Sequence, residues 1–194
     1  MLPDARRQST SGGRWYRGSA AVRYVALIRG INVGGNSIIP MAKLRPAFEG
    51  CGVKNVSTFI ASGNVLFEAT RVPNLERRLS KVLGLPIRLT LRTHREMEAI
   101  VKNAPKGFGT KPNTFRYDVW FLIPPMTAEK VVAALEPKDG VDAVLAGDGV
   151  IYATRLIAKA SQSRLTRIVG TPIYASVTIR GWNTTRKLAE LSAG

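Results

Sequence analysis

The sequence predicts an α+β fold of two tandem ferredoxin-like units, each with the order βαββαβ, joined by a linking helix and followed by a C-terminal helix. Three observations predict it. Along residues 22–92, apolar positions switch between the period of two that marks a strand and the three-to-four spacing of a helix. Turn residues, chiefly glycine, proline and asparagine, stand near the switches. The same order of elements then recurs over residues 115–179. With 194 residues and 45% hydrophobic content, the chain can bury a sizeable core.

The elements follow in order. Residues 1–20 are rich in Ser, Gly and Arg, lack an apolar run of signal-peptide length, and read as a disordered basic tail. Residues 21–92 read as the first unit, and residues 93–194 as the second with its linking and terminal helices. Val22 to Ile28 is a buried strand, apolar and rich in β-branched and aromatic residues. Pro40 suits a helix first turn, and Met41, Leu44, Ala47, Phe48 and Cys51 share one face beyond it. Val56 to Ile60 and Val65 to Phe67 flank the turn residues Ser62-Gly63-Asn64, a hairpin. Val72, Leu75, Leu79, Val82 and Leu83 mark a second helix, and Ile87, Leu89 and Leu91 a fourth strand. Met97, Ile100 and Val101 carry the linking helix. Phe115 to Ile123 alternates as a strand, Ala128 to Leu135 is a helix, and Val141 to Ala153 is a hairpin around Gly147-Asp148-Gly149. Leu165, Ile168 and Val169 mark another helix, Ile173, Ala175, Val177 and Ile179 a last strand, and Trp182 opens the terminal helix.

The charge bounds the partners. There are 29 Lys and Arg against 13 Asp and Glu, a formal net charge of +16. That favours anionic partners: nucleic acid, phosphorylated small molecules or an anionic surface. One cysteine excludes a disulfide framework and one histidine most zinc sites, so no metal is expected; both counts suit a reducing cytoplasm. No apolar run has the length of a membrane span.

The polar feature of the chain is Arg29-Gly30-Ile31-Asn32-Val33-Gly34-Gly35-Asn36-Ser37, between the first strand and first helix. Its glycines free the backbone to approach a ligand, and Arg29 and Asn32 offer charge and amide groups. Gly30-x-x-x-x-Gly35-Asn36-Ser37 falls short of a phosphate-binding loop because Asn36 stands where such a loop needs lysine. Two readings remain: an anion nest of loop amides beside Arg29, or a structural turn. In a ferredoxin-like sheet the first and third strands are antiparallel neighbours, so Arg29 to Asn32 should meet Ser62 to Asn64 at one edge. The second unit has Pro124-Pro125 and Gly147-Asp148-Gly149 there, without the arginine and asparagines. The candidate ligand residues are therefore Arg29, Gly30, Asn32, Gly34, Gly35, Ser62 and Asn64, and the ligand a small anionic or polar molecule. Arg180, Asn183 and Thr184 form a candidate third block; the alternative there is Trp182 as a packing anchor and Asn183 or Thr184 as a helix cap.

Tyr24 to Gly35 followed by Pro40-Met41-Ala42-Lys43-Leu44-Arg45 resembles the opening of the bacterial domain-of-unknown-function family 1697. Ser62-Gly63-Asn64 and Ile179-Arg180-Gly181-Trp182-Asn183-Thr184 are similar to two further blocks of that family. Ala61, Ser37 and Gly181 stand where its members commonly carry amide side chains. The resemblance implies an α+β fold of two ferredoxin-like units and no established activity or cofactor.

Catalytic residues do not stand out. His94 has no carboxylate at a fixed spacing, Cys51 lies among apolar positions, and no serine has a nucleophile-elbow context. The third strand carries one aromatic, Phe67, so the stacking platform of RNA-recognition modules is absent, and nucleic-acid contact would be electrostatic. The leading expectation is a binding module, the second a nonspecific nucleic-acid binder, and the third an enzyme of unknown reaction.

Overall fold

The computed structural model describes residues 20–31, 39–72 and 74–194. The first half contains β1 (Val22–Ile28), α1 (Met41–Glu49), β2 (Lys54–Phe59), β3 (Asn64–Ala69), α2 (Leu75–Leu83), β4 (Leu89–Thr93) and α3 (His94–Lys102). The second contains β5 (Phe115–Leu122), α4 (Ala128–Ala134), β6 (Asp142–Gly147), β7 (Val150–Leu156), α5 (Pro172–Ala175), β8 (Val177–Gly181) and α6 (Trp182–Ser192). Each half has one four-stranded antiparallel sheet, in the orders β2-β3-β1-β4 and β6-β7-β5-β8.

Side-chain alternation sorts the strands into three layers of core. One face of the first sheet, with Ala26, Ile28, Val65 and Phe67, packs on Leu44 and Phe48 of α1 and Leu75 and Leu79 of α2. The corresponding face of the second sheet, with Trp120, Leu122, Ile151 and Ala153, packs on Val131 of α4 and on Leu165 and Ile168. The remaining faces share a central cluster. Val25, Leu27 and Leu66 belong to it from one side, Val119, Phe121, Val150 and Tyr152 from the other. Met97 and Ile100 of α3 and Trp182 and Leu188 of α6 complete it. β1 is therefore covered on both faces, which is why it reads as an apolar run; β5, expected to alternate along its length, is buried on both faces from Val119 to Leu122.

The helices that follow β4 and β8 are capped differently. Thr93 Oγ1 accepts from Glu96 N at 3.2 Å, and Glu96 Oε2 accepts from Thr93 N at 2.7 Å, a reciprocal capping box at α3. At α6 the N-cap is Gly181, not Asn183 or Thr184, so the expected side-chain cap is missing. Two other expectations shift. Ile173 and Ala175 belong to α5, because Pro172 suits its first turn and Thr171 Oγ1 accepts from Tyr174 N at 3.3 Å. β8 therefore begins only at Val177. The helix expected around Leu165 is a 3₁₀ turn, Leu165–Ile168, which buries those two residues and leaves Val169 exposed.

Candidate functional site

β1 and β3 pair antiparallel, and Ile28 N donates to Gly63 O at 2.8 Å. That bond sets Arg29 and Gly30 beside Ser62 and Gly63. Gly63 has φ +75°, and a Cβ on it would lie 2.8 Å from Ile31 Cγ1, so the Ile31 side chain occupies the space a larger residue would need. Gly30 has φ +68°, a conformation that glycine adopts without steric cost. Asn32, Gly34 and Gly35 lie outside the described residues.

Asn64 is fully buried at this edge. Its Nδ2 donates to Phe59 O and to Ser62 Oγ, both at 3.0 Å, and its Oδ1 accepts from Arg180 Nε at 2.6 Å. Arg180 thus joins the first-half motif from the last strand of the second half. Its Nη2 donates to Ile28 O at 2.9 Å and Ser62 O at 2.8 Å, and its Nη1 to Thr178 Oγ1 at 3.0 Å and Ile179 O at 2.8 Å. Every one of these acceptors is neutral. The guanidinium is buried, and that burial lowers its pKa to about 10, so it still carries its charge at neutral pH. Arg29 crosses the same seam in the opposite direction. Its Nε donates to Tyr174 O at 3.1 Å, and its guanidinium carbon lies 5.0 Å from the centre of the Tyr174 ring.

The Arg180 arrangement has a counterpart. β4 reads Leu-Thr-Leu-Arg-Thr and β8 reads Val-Thr-Ile-Arg-Gly. Arg92 Nη1 donates to Thr90 Oγ1 at 2.7 Å and Leu91 O at 2.8 Å, as Arg180 does to Thr178 and Ile179. Its Nη2 reaches Gly149 O at 2.8 Å and Leu122 O at 3.4 Å, in the opposite half. Leu122 N donates to Gly149 O at 3.0 Å, just as Ile28 N does to Gly63 O. Each half therefore sends an arginine from its fourth strand onto the end of the other half's first strand and hairpin turn. This reciprocal clamp was not expected from the sequence; its available signal was the Thr-x-Arg tripeptide recurring 88 positions apart.

The two ends of the seam differ where the polar motif lies. Val150 takes the place of Asn64, and Ile123 and Pro124 take the places of Arg29 and Gly30. Polar groups are concentrated at the first-half end. Asn183 and Thr184 line a separate cleft of about 520 Å³, together with Arg116, Asp118, Arg155 and Trp182.

His94 and Cys51 are the one histidine and the one cysteine of the chain. His94 Nδ1 lies 3.1 Å from Ser192 Oγ, which itself donates to Ala189 O at 2.8 Å. The ring nitrogen is then the donor and the serine is not activated. Burial raises the Cys51 thiol pKa, although the Arg78 charge opposes the shift. No group of three His, Cys, Asp or Glu side chains among the described residues is placed to hold a metal ion. No helix there is long and apolar enough to cross a membrane.

The family model described as "Protein of unknown function (DUF1697)" matches residues 22–152, which span the first-half motif, the first hairpin and the turn of the second. The chain belongs to the DUF1697 family. A conserved bacterial protein of the same architecture, SP0830 from Streptococcus pneumoniae, superposes with a TM-score of 0.77 at 26% identity. That likeness covers 90% of this DUF1697 chain and 100% of the pneumococcal one. No curated protein matches this one in sequence.

Proposed function

We propose that this DUF1697 protein is a cytoplasmic binding module for a small anionic ligand, held where Arg29-Gly30 meets Ser62-Gly63-Asn64. The observation that carries the reading is the charge at this edge. Arg29 and Arg180 both stand at it, and neither has a carboxylate within 4 Å among the described residues. Two guanidinium charges held in place by neutral acceptors favour an anion beside them. Arg29, half-buried and aligned by Tyr174, is the group that meets the ligand. Arg180 and Asn64 hold the edge in shape, and Ser62 carries one of the carbonyls they fix. Asn32 and the amides of Gly34 and Gly35 supply the cradle, a role that rests on their place in the sequence. The scaffold reads as two tandem ferredoxin-like units, a reading supported by the two matching strand orders. Ile60 adds support: a β-branched, half-exposed residue at φ +50° in the adjoining hairpin turn, where such a conformation is uncommon.

A thermal-shift screen with inorganic phosphate, nucleoside mono- and diphosphates and small dicarboxylates tests this. Ligand that binds only the native state raises the melting temperature. At least one anion of this set should do so in the wild type. Arg29→Ala should abolish the shift while costing about 1 kcal/mol of stability, the scale of one exposed cation–π contact and one hydrogen bond. A shift retained in Arg29→Ala would remove the site.

A further inference from the structure

We infer that the outward face of the first half's helix layer docks the phosphate backbone of nucleic acid, without base readout, through α2. The argument rests on where the charge lies. Between Val22 and Thr93 there are eleven Lys and Arg against three Glu; from His94 to Gly194 there are fourteen against nine acidic residues. Of the first-half cations, Arg71, Arg77, Arg78, Lys81 and Arg88 are exposed on or beside α2.

Helical spacing places Arg77 and Lys81 on the face opposite the buried Leu75 and Leu79, and Arg78 on the flank, three positions from Leu75. A solvated surface helix ordinarily answers such charges with carboxylates three or four positions away. α1, in the same layer, does this: Arg45 Nε and Glu49 Oε1 are 2.9 Å apart. α2 does not. Arg77 and Lys81 are like charges four apart, an arrangement that works against the helix. The acid of α2, Glu76, turns toward the sheet, where its Oε1 accepts from Leu89 N at 2.7 Å and lies 4.0 Å from Arg88. Arg77, Arg78 and Lys81 have no carboxylate within 4 Å among the described residues. In the second half, by contrast, Arg116 lies 2.7 Å from Asp118 and Lys187 lies 3.0 Å from Glu190.

The chemistry of the face favours phosphodiester. Four of its five cations are arginine, whose planar fork matches phosphate oxygens in pairs. A lipid surface would add the burial of an apolar stripe to the charge, and α2 exposes Val82 as its one large apolar side chain. Base readout by stacking has no means here, since Phe48 and Phe67 are sealed in the core. The inference stands apart from the small-ligand reading, because Arg29 and Arg180 take no part in it.

The test titrates the full chain with a mixed-sequence single-stranded RNA of about 30 nucleotides, between about 50 and 200 mM salt. Two triple variants remove the same charge from opposite halves: Arg77→Glu/Arg78→Glu/Lys81→Glu, and Lys159→Glu/Arg164→Glu/Arg167→Glu. The wild type should bind with a steep salt slope, about 0.7 per phosphate neutralised. The α2 variant should lose at least tenfold in affinity and flatten the slope by about two, the share of three phosphate contacts. The second-half variant should lose less than threefold. Arg77→Gln/Arg78→Gln/Lys81→Gln, which avoids three new acids on one helix, should move the same way, with urea unfolding confirming its fold. Equal losses in the two Glu variants, no binding at the lowest salt, or equally tight binding to vesicles containing phosphatidylserine would each overturn the inference.

Discussion

Arg180→Ala should lose about 3–5 kcal/mol in urea unfolding, with no change in the slope against denaturant. For a chain of this length that is a fall in melting temperature of roughly 6–20 °C. The change strips Ile28 O, Ser62 O, Asn64 Oδ1 and Thr178 Oγ1 of a charged donor at a buried seam. A buried acceptor left without its partner retains the desolvation penalty and loses the bond that offset it. Arg92→Ala should lose less. Arg92 is only partly buried, and one of its two bonds across the seam is long, at 3.4 Å. Asn64→Val tests the asymmetry of the seam, because Val150 already stands at the equivalent position of the other half. Alone it should cost about 2–3 kcal/mol, since Arg180 Nε is a charged donor left without an acceptor. Combined with Arg180→Met it should cost less than the sum of the single changes, because both remove one interaction. Simple additivity would mean that the 2.6 Å contact contributes nothing, and a loss under about 1 kcal/mol in Arg180→Ala would mean that water replaces the guanidinium at the seam.

Those variants also separate clamp from ligand contact. Arg29 and Arg180 carry the same charge at the same edge, but Arg29 is half-buried while Arg180 is enclosed. Stability should therefore depend on Arg180, and ligand response on Arg29.

The sequence displays one link of this edge and hides another. Strand order is legible because β1 and β3 announce themselves as apolar runs bounded by glycine and asparagine. Their neighbourhood puts Arg29-Gly30 beside Ser62-Gly63, as the Ile28–Gly63 hydrogen bond shows. The arrival of Arg180 is not legible. It depends on two sheets sharing a central layer, and it pairs residues 116 positions apart. β4 and β8 share only Thr and Arg out of five residues, too little to stand out before the backbone superposes them. α5 fails for a different reason. Ile173, Ala175, Val177 and Ile179 alternate as a strand would, but Thr171-Pro172 is a helix start, and that local chemistry takes the first two of the four. At α6 the chain keeps the helix but drops the capping box of α3, with Gly181 where Thr93 stands and Thr184 where Glu96 stands.

Gly109→Ala should cost on the order of 3 kcal/mol, from two sources that controls can separate. Gly109 has φ +83°, a conformation that penalises any side chain by roughly 1–2 kcal/mol. A Cβ there would also run into Cδ1 and Nε1 of Trp182. The indole has little room to retreat. Trp182 is buried in the central cluster and meets Phe108 edge-on, with ring centres 5.0 Å apart. It is also the first residue of α6, so displacing it shifts the start of that helix. Gly107→Ala is the first control: its φ is +80°, but the nearest atom to a new Cβ is Thr110 Oγ1 at 3.9 Å, so it carries the backbone penalty alone. Trp182→Ala is the second. It removes the whole ring, so Gly109→Ala in that background should cost about the same as Gly107→Ala. If Gly109→Ala and Gly107→Ala are equally mild in the wild-type background, the loop yields and Trp182 does not pin it. If Gly109→Ala stays severe in the Trp182→Ala background, the loss lies in the backbone conformation and the indole is not its cause.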